Sequence, residues 1–133
     1  MRWLEFYLRE IIIIKMTLQY SPKNNPRVIV IQKLYGKFYN NDEDLTFPKH
    51  RFKKFIKDVV NGTIERDEII NDEIKNHLNS DLNLKNLDKI FQVIIKSAIF
   101  EFLYKPKTSV KIIIKEYLNA SNFFIDKGQT KYL

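Results

Sequence analysis

The sequence predicts an all-α protein, a single-domain helical bundle, and three observations support this class. Apolar residues recur at intervals of three and four along most of the chain, which is the spacing of one helix face. Pro and Gly are scarce, at four and three in 133 residues, and most of them fall near segment boundaries. We find no signal for a β-hairpin or for an internal repeat.

Five helices are expected, and the first begins at Asn25, an N-cap, followed by Pro26 at the first helical position. The β-branched run 28–31 is also typical of a strand, but the apolar spacing after it favours a helix. The second helix is predicted from an amphipathic stripe that ends at Asn61-Gly62, with Gly62 just beyond the helix end. Its stripe consists of Phe52, Phe55, Ile56, Val59 and Val60, opposite a lysine-rich face.

The remaining three helices differ in charge and in apolar content. Residues 63–79 predict an acidic helix, and residues 84–103 carry the longest apolar stripe, which predicts the central and most buried helix. Lys105-Pro106 should end that helix. Thr108 or Ser109 should cap the last one, whose inward-facing residues are predicted as Val110, Ile113, Ile114, Tyr117 and Leu118. Residues 126–128 are typical of a turn, followed by the start of one more helix.

Composition excludes several classes of function. The chain has no Cys, so thiol enzymes, disulfide scaffolds and Cys-based metal sites are excluded. No phosphate-binding glycine loop is present. His50 and His77 have no ligand at metal spacing, and the carboxylate pairs fit a solvated helix face. We therefore expect no enzymatic activity, cofactor, metal or small-molecule substrate, while the net charge of +7 favours an anionic partner.

The two ends of the chain carry separate expectations. The apolar run 11–14 is too short to span a membrane and does not fit a signal peptide, so we expect a cytoplasmic protein. Residues 1–25 are predicted to be a flexible extension, with Met16 as the natural start. Residues 26–133 are predicted to form the helical domain.

Three segments, in order, resemble the NusB transcription antitermination family. Residues 27–35 (RVIVIQKLY) resemble the family's opening helix, an Arg followed by apolar residues and V-Q-A-L-Y. Residues 55–62 (FIKDVVNG) are similar to its F-x-x-L-V-x-G-V segment. Residues 93–116 are similar to its A-I-L-R-x-A-x-Y-E-L and V-x-I-N-E stretch, with Lys96 in place of Arg and Lys115 in place of Asn. Since the family continues beyond residue 133 with N-G-V-L-D, the domain is expected to lack most of its last helix and to expose an apolar groove.

The resemblance implies a bacterial RNA-binding factor that acts on ribosomal RNA operons. Its expected partners are a boxA-like single-stranded RNA, the small-subunit ribosomal protein NusE and the RNA polymerase antitermination complex. Cations would hold phosphates and aromatic rings would stack on bases. The implied RNA-binding residues are Lys23, Arg27, Lys33, Lys96, Phe124, Lys131 and Tyr132. The implied partner-binding residues are Tyr35, Phe38 and Phe91.

The sequence also allows functions other than RNA binding. The main alternative is a helical protein–protein interaction module without RNA binding, in which the acidic helix 63–79 contacts a basic partner. Core packing is an equal alternative for Phe124 and Tyr132. A peripheral membrane role for residues 1–15 is a weaker possibility.

Overall fold

The computed structural model describes residues 24–39, 45–77 and 87–132, with side chains described as far as residue 124. These ranges contain five α-helices and no strand, which confirms the predicted all-α class. The helices are α1 (Pro26–Tyr39), α2 (Lys53–Glu65), α3 (Asp67–His77), α4 (Lys89–Tyr104) and α5 (Val110–Tyr132).

Side-chain caps begin three of these helices. The Asn25 Oδ1 atom accepts a hydrogen bond from the Arg27 N–H at 3.0 Å, which confirms the predicted N-cap of α1. Ser109 Oγ accepts one from the Ile112 N–H at 3.3 Å, so Ser109 caps α5. Asp88 Oδ1 accepts a hydrogen bond from the Ile90 N–H at 3.0 Å, so Asp88 caps α4. Each cap satisfies one of the backbone donors that a helix start leaves unpaired.

The core is built around α4, which contacts each of the other four helices. This confirms its predicted central position. The prediction that α4 is also the most buried helix is wrong, because α1 contributes more fully buried residues and the α4 side chains Ile95 and Ile99 are only half-buried. The β-branched run 28–31 of α1 is buried throughout. Burial of these side chains outweighs their modest preference for strands.

The end of α2 differs from the prediction. The helix continues through Gly62 to Glu65, so the role of Gly62 as a residue beyond the helix end is wrong. Gly62 is buried against the Phe100 ring, and a Cβ atom at this position would overlap that ring. The chain turns at Arg66, so the acidic helix begins at Asp67 instead of residue 63. A close approach of α2 and α4 therefore explains this glycine.

Two predictions for α5 are also wrong. Val110 is 54% exposed, because it lies in the first turn, before α5 reaches the core. The predicted turn at 126–128 is absent, since α5 runs without a break to Tyr132. A single glycine inside a helix costs only about 1 kcal/mol relative to alanine, which does not suffice to end one. The predicted end of α4 is confirmed, with Lys105 donating its N–H to the Glu101 carbonyl oxygen at 2.9 Å.

Replacing Gly62 by alanine should lower the free energy of unfolding. Overpacking a core costs roughly 1–3 kcal/mol, and the better helix propensity of alanine offsets about 1 kcal/mol of that cost. Urea unfolding of Gly62→Ala measures the net loss. In a Phe100→Leu background the overlap is relieved, so the same substitution should cost less. Gly62→Ala could instead cost the same unfolding free energy in the wild-type and Phe100→Leu backgrounds, or could stabilise the wild type. Either result would contradict the close contact between Gly62 and the Phe100 ring.

Candidate nucleic-acid interface

Arg27 is buried in an ion pair. Its Nη2 atom donates to Glu101 Oε1 at 2.7 Å and its Nε atom donates to Glu101 Oε2 at 3.0 Å. The Arg27 side chain is 11% exposed and that of Glu101 is fully buried. This two-point geometry joins the start of α1 to α4. The guanidinium charge is therefore neutralised inside the fold, and RNA contact by Arg27 stays a prediction.

Two aromatic rings complete the surroundings of this pair. The Arg27 guanidinium carbon lies 4.9 Å from the centre of the Phe55 ring and 5.5 Å from that of Tyr117. Burial lowers the pKa of Arg27, but hydrogen bonding to Glu101 and the charge of that carboxylate raise it by more, so arginine stays charged. Burial first, and then the Glu101 charge, raise the pKa of Tyr117 well above its usual range. The Tyr117 hydroxyl therefore stays neutral.

Lys96 is likewise engaged within the bundle. Its Nζ atom lies 3.0 Å from Asp67 Oδ1 and 4.6 Å from the centre of the Phe38 ring, and its side chain is 11% exposed. These contacts link α4 to the start of α3 and to α1. The structure thus gives Lys96 a packing role, and its predicted RNA contact stays a prediction.

The predicted cluster near the end of the chain is described only in part. Phe124 is half-buried and packs against the hydrophobic core. Lys131 and Tyr132 lie in the last turn of α5, and their side chains lie outside the described residues. Lys23 also lies outside the described residues. Their RNA-binding roles stay predictions.

Lys33 borders an open groove between α1 and the segment 45–50. The groove has a volume of about 560 Å³ and contains both apolar and basic side chains. Its lining residues are Ile29, Gln32, Lys33, Thr46, Phe47, Pro48, Lys49 and His50. Lys33 therefore faces open space, in contrast to Arg27 and Lys96.

The three predicted partner-binding residues lie on α1 and α4, whose adjoining parts are held together. Tyr39 Oη donates to Gln92 Oε1 at 3.0 Å and joins the end of α1 to the beginning of α4. The half-buried Tyr35 has its ring centre 5.4 Å from that of Tyr39. Phe38 is half-buried beneath Lys96. Phe91, adjacent to Gln92, is 42% exposed.

Phe91 also borders an apolar groove between α4 and α5. This groove has a volume of about 490 Å³ and shares Ile95, Ile99 and Phe102 with a second groove of about 350 Å³ between α3 and α4. The described residues therefore leave one face of α4 open along much of its length. An exposed apolar groove was among the sequence expectations, and the self-association that it would allow stays a prediction.

Sequence reasoning missed Glu101, Asp67, Phe55 and Tyr117 as the residues that surround the predicted cations. A signal for Glu101 was present, because Lys96 and Glu101 are the two charged residues in the largely apolar segment 93–103. Charged residues are seldom buried unless they are paired, so such positions indicate buried ion pairs. The identity of each partner depends on which helices pack together.

The described residues show no cluster of side chains suited to hold a metal ion. Within the same part of the chain, every helix is too short or too polar to cross a membrane. What the described surface offers instead is a mixed basic and aromatic groove on one side and an apolar helix face on another. Such features are suited to binding macromolecules.

Comparison with known proteins places this bundle in a class of helical transcription proteins. The NusB family model matches residues 12–132. A transcription antitermination protein NusB from Rickettsia bellii (strain OSU 85-389) is 30% identical over 127 residues, covering 90% of this chain and 79% of that protein. Another, from Lysinibacillus sphaericus (strain C3-41), is 29% identical over 79 residues, covering 59% and 61% of the two chains. No solved structure matches.

The chain therefore belongs to the NusB family. This confirms the resemblance drawn from three short sequence segments. The similar proteins are bacterial and are transcription antitermination proteins, not enzymes, which confirms the expectation of a non-enzymatic protein. The predicted boundary at residue 26 stays a prediction.

Breaking the buried pair should destabilise the fold strongly. Arg27→Met leaves the Glu101 carboxylate buried without its partner, which typically costs about 3–5 kcal/mol. The double variant Arg27→Met/Glu101→Met should recover much of this loss in urea unfolding. Lys105→Met is the control, because the Lys105–Asp58 pair is partly exposed and is expected to contribute about 0–1 kcal/mol. If the losses in unfolding free energy of the two single variants add up in the double variant, Arg27 and Glu101 do not stabilise the fold as a pair.

Stability should fall at alkaline pH through Tyr117. Its folded-state pKa is raised, so the neutral hydroxyl contributes stability that is fully present below the unfolded pKa of about 10 and is lost as pH rises above it. Tyr117→Phe should show a shallower loss of stability above that pH. Urea midpoints measured from neutral to strongly alkaline pH test this, with Tyr35→Phe as the control. Parallel curves for wild type and Tyr117→Phe would contradict the assignment.

Proposed function

We propose that this protein is a cytoplasmic RNA-binding transcription antitermination factor that acts on ribosomal RNA operons. It binds boxA-like single-stranded RNA together with the ribosomal protein NusE, within the RNA polymerase antitermination complex. The observation that carries the proposal is the family match over residues 12–132, with relatives named as transcription antitermination proteins. The charge of +7 supports an anionic ligand.

The arrangement of cations refines where RNA would bind. Arg27 and Lys96 are paired with carboxylates, so their first contribution is to hold α1, α3 and α4 in place. Lys33 lies at an open groove and is better placed to contact a phosphate. At the other predicted region, α5 carries Lys131 and Tyr132 on its last turn. Surface lysines would therefore contact the RNA. The buried cations Arg27 and Lys96 would stabilise the bundle, because carboxylates already neutralise them.

The apolar face of α4 supports a protein partner. Phe91 is 42% exposed, and the adjacent groove continues along Ile95 and Ile99. Exposed contiguous apolar surface is typical of protein interaction sites. This feature fits NusE binding near Tyr35 and Phe91. It also fits the alternative, a protein–protein interaction module without RNA binding.

Titration of the protein with fluorescently labelled boxA-like RNA tests the proposal. We expect tighter binding of this RNA than of a scrambled sequence, and a larger difference when NusE is present, because the two proteins would contact one RNA. Equal affinity for the two RNAs in both conditions, at physiological salt, would refute specific recognition. Binding of NusE without any RNA affinity would favour the interaction module.

The same titration with Tyr132→Ala tests base stacking. Loss of a stacked ring weakens binding by about 1–3 kcal/mol per base. Tyr132→Phe is the matched control, since it keeps the ring and should bind as the wild type does. Unchanged affinity of Tyr132→Ala would exclude a stacking role for this side chain.

A further inference from the structure

Residues 45–57 form an exposed basic surface that the proposed function does not use. They contain four Lys and one Arg and no acidic residue. All five cations are exposed: Lys49, Arg51, Lys53, Lys54 and Lys57. Surface cations at this density create a local positive potential that attracts phosphates. This surface adjoins the groove that Lys33 and Lys49 border.

Aromatic rings lie directly among these cations. The Lys57 Nζ atom is 5.9 Å from the centre of the Phe47 ring, which lines the groove. The Phe52 ring is 44% exposed, with the Arg51 guanidinium carbon 5.4 Å from its centre and the His50 ring centre at 6.0 Å. An exposed aromatic face beside cations is the combination that binds single-stranded nucleic acid, because bases stack on the ring while cations hold the backbone.

Acidic residues flank this surface on both sides along the chain. Asp58, the first carboxylate after it along the chain, lies 3.4 Å from the Lys105 Nζ atom and is engaged there. The three acidic residues at 42–44 come just before it and lie outside the described residues. Among the described ion pairs, none uses Lys49, Lys53, Lys54 or Lys57. These four lysines are exposed, so a ligand can contact them.

We propose that RNA binding extends from Lys33 over a second site, which we call the basic groove. It comprises the groove residues Phe47, Lys49 and His50 together with Lys57, beside Phe47, and Phe52, beside His50. Its lysines contact successive phosphates of a single strand, and Phe52 stacks on one base. The proposal rests on the proposed function for the identity of the ligand as RNA. It extends the RNA path to the segment between α1 and α2, in addition to the predicted cluster at the end of α5. Phosphate contact and stacking require no particular base, so this site adds affinity more than sequence preference.

Salt dependence of RNA binding provides the first test. Each phosphate contact to a single strand contributes about −0.7 to the slope of log affinity against log salt concentration. Lys49→Gln/Lys57→Gln should therefore make the slope shallower by about 1.4 with a labelled boxA-like RNA. The matched control is Lys75→Gln/Lys111→Gln, which removes the same charge from exposed positions on α3 and α5 and should leave the slope close to that of the wild type.

Stacking provides the second test. Phe52→Leu keeps an apolar side chain but removes the ring, so RNA affinity should fall about 5- to 150-fold, which corresponds to about 1–3 kcal/mol per stacked base. Tyr104→Leu is the control, because it also replaces a ring by leucine at a residue of similar exposure, 38% against 44%, at the end of α4. Far-ultraviolet circular dichroism and urea unfolding verify that all four variants are folded.

The outcomes separate this proposal from the proposed function. The salt dependence of RNA affinity could be the same in Lys49→Gln/Lys57→Gln as in a wild type that binds RNA. This result would overturn the basic groove as an RNA-binding site and leave the proposed function standing. Equal wild-type affinity for boxA-like and scrambled RNA, together with a shallower slope in that variant, would overturn sequence-specific recognition and support the groove. Binding of a polyglutamate peptide that the variant loses, with RNA binding unaffected, would overturn the groove as an RNA site and assign it to acidic peptides.

Discussion

The buried ion pair between Arg27 and Glu101 is the interaction on which the packing of the bundle depends most directly. It joins α1 to α4 through two hydrogen bonds, and the rings of Phe55 and Tyr117 bring α2 and α5 against the same guanidinium. Four of the five described helices therefore meet at one charged group. Taking two charges out of water carries a cost of several kcal/mol per ion, so such a pair is tolerated only where its geometry is good. Its two-point geometry also fixes the rotation of α1 against α4, which apolar contacts alone specify less sharply.

This arrangement separates two sets of cations that look alike in the sequence. Arg27 and Lys96 lie beside carboxylates and aromatic rings in the interior, where they hold helices together. Lys33 and Lys49 line a groove open to solvent, and the exposed Lys57 lies beside its Phe47, where a phosphate can reach them. A family position that carries a cation can thus serve the fold, the ligand or both. A buried cation paired with a carboxylate mainly stabilises the fold, whereas an exposed cation is available to contact a ligand.

The open face of α4 is the other feature with functional consequences. Helix α4 contacts every other helix, yet Ile95, Ile99 and Phe102 still line two apolar grooves. An apolar helix face that the described residues leave uncovered favours association with a protein partner. Because the basic groove lies between α1 and α2, RNA and protein would bind different parts of the bundle. The proposed function calls for both to be bound at once, and this arrangement is compatible with it.

The sequence by itself determined the fold class, the cap at Asn25, the end of α4 and the family, because apolar period, cap chemistry and short motifs are local properties of the chain. It left the cap of α5 open between Thr108 and Ser109, and the structure assigns it to Ser109. Only the tertiary structure decided that Gly62 allows α2 to approach the Phe100 ring, and that α5 continues through Gly128. It also decided that Arg27 and Lys96 face carboxylates far from them in sequence, and that Phe47 and Phe52 lie among lysines. These facts depend on which helix faces pack together. A periodic pattern predicts which residues share a face, but it does not predict which helix packs against that face.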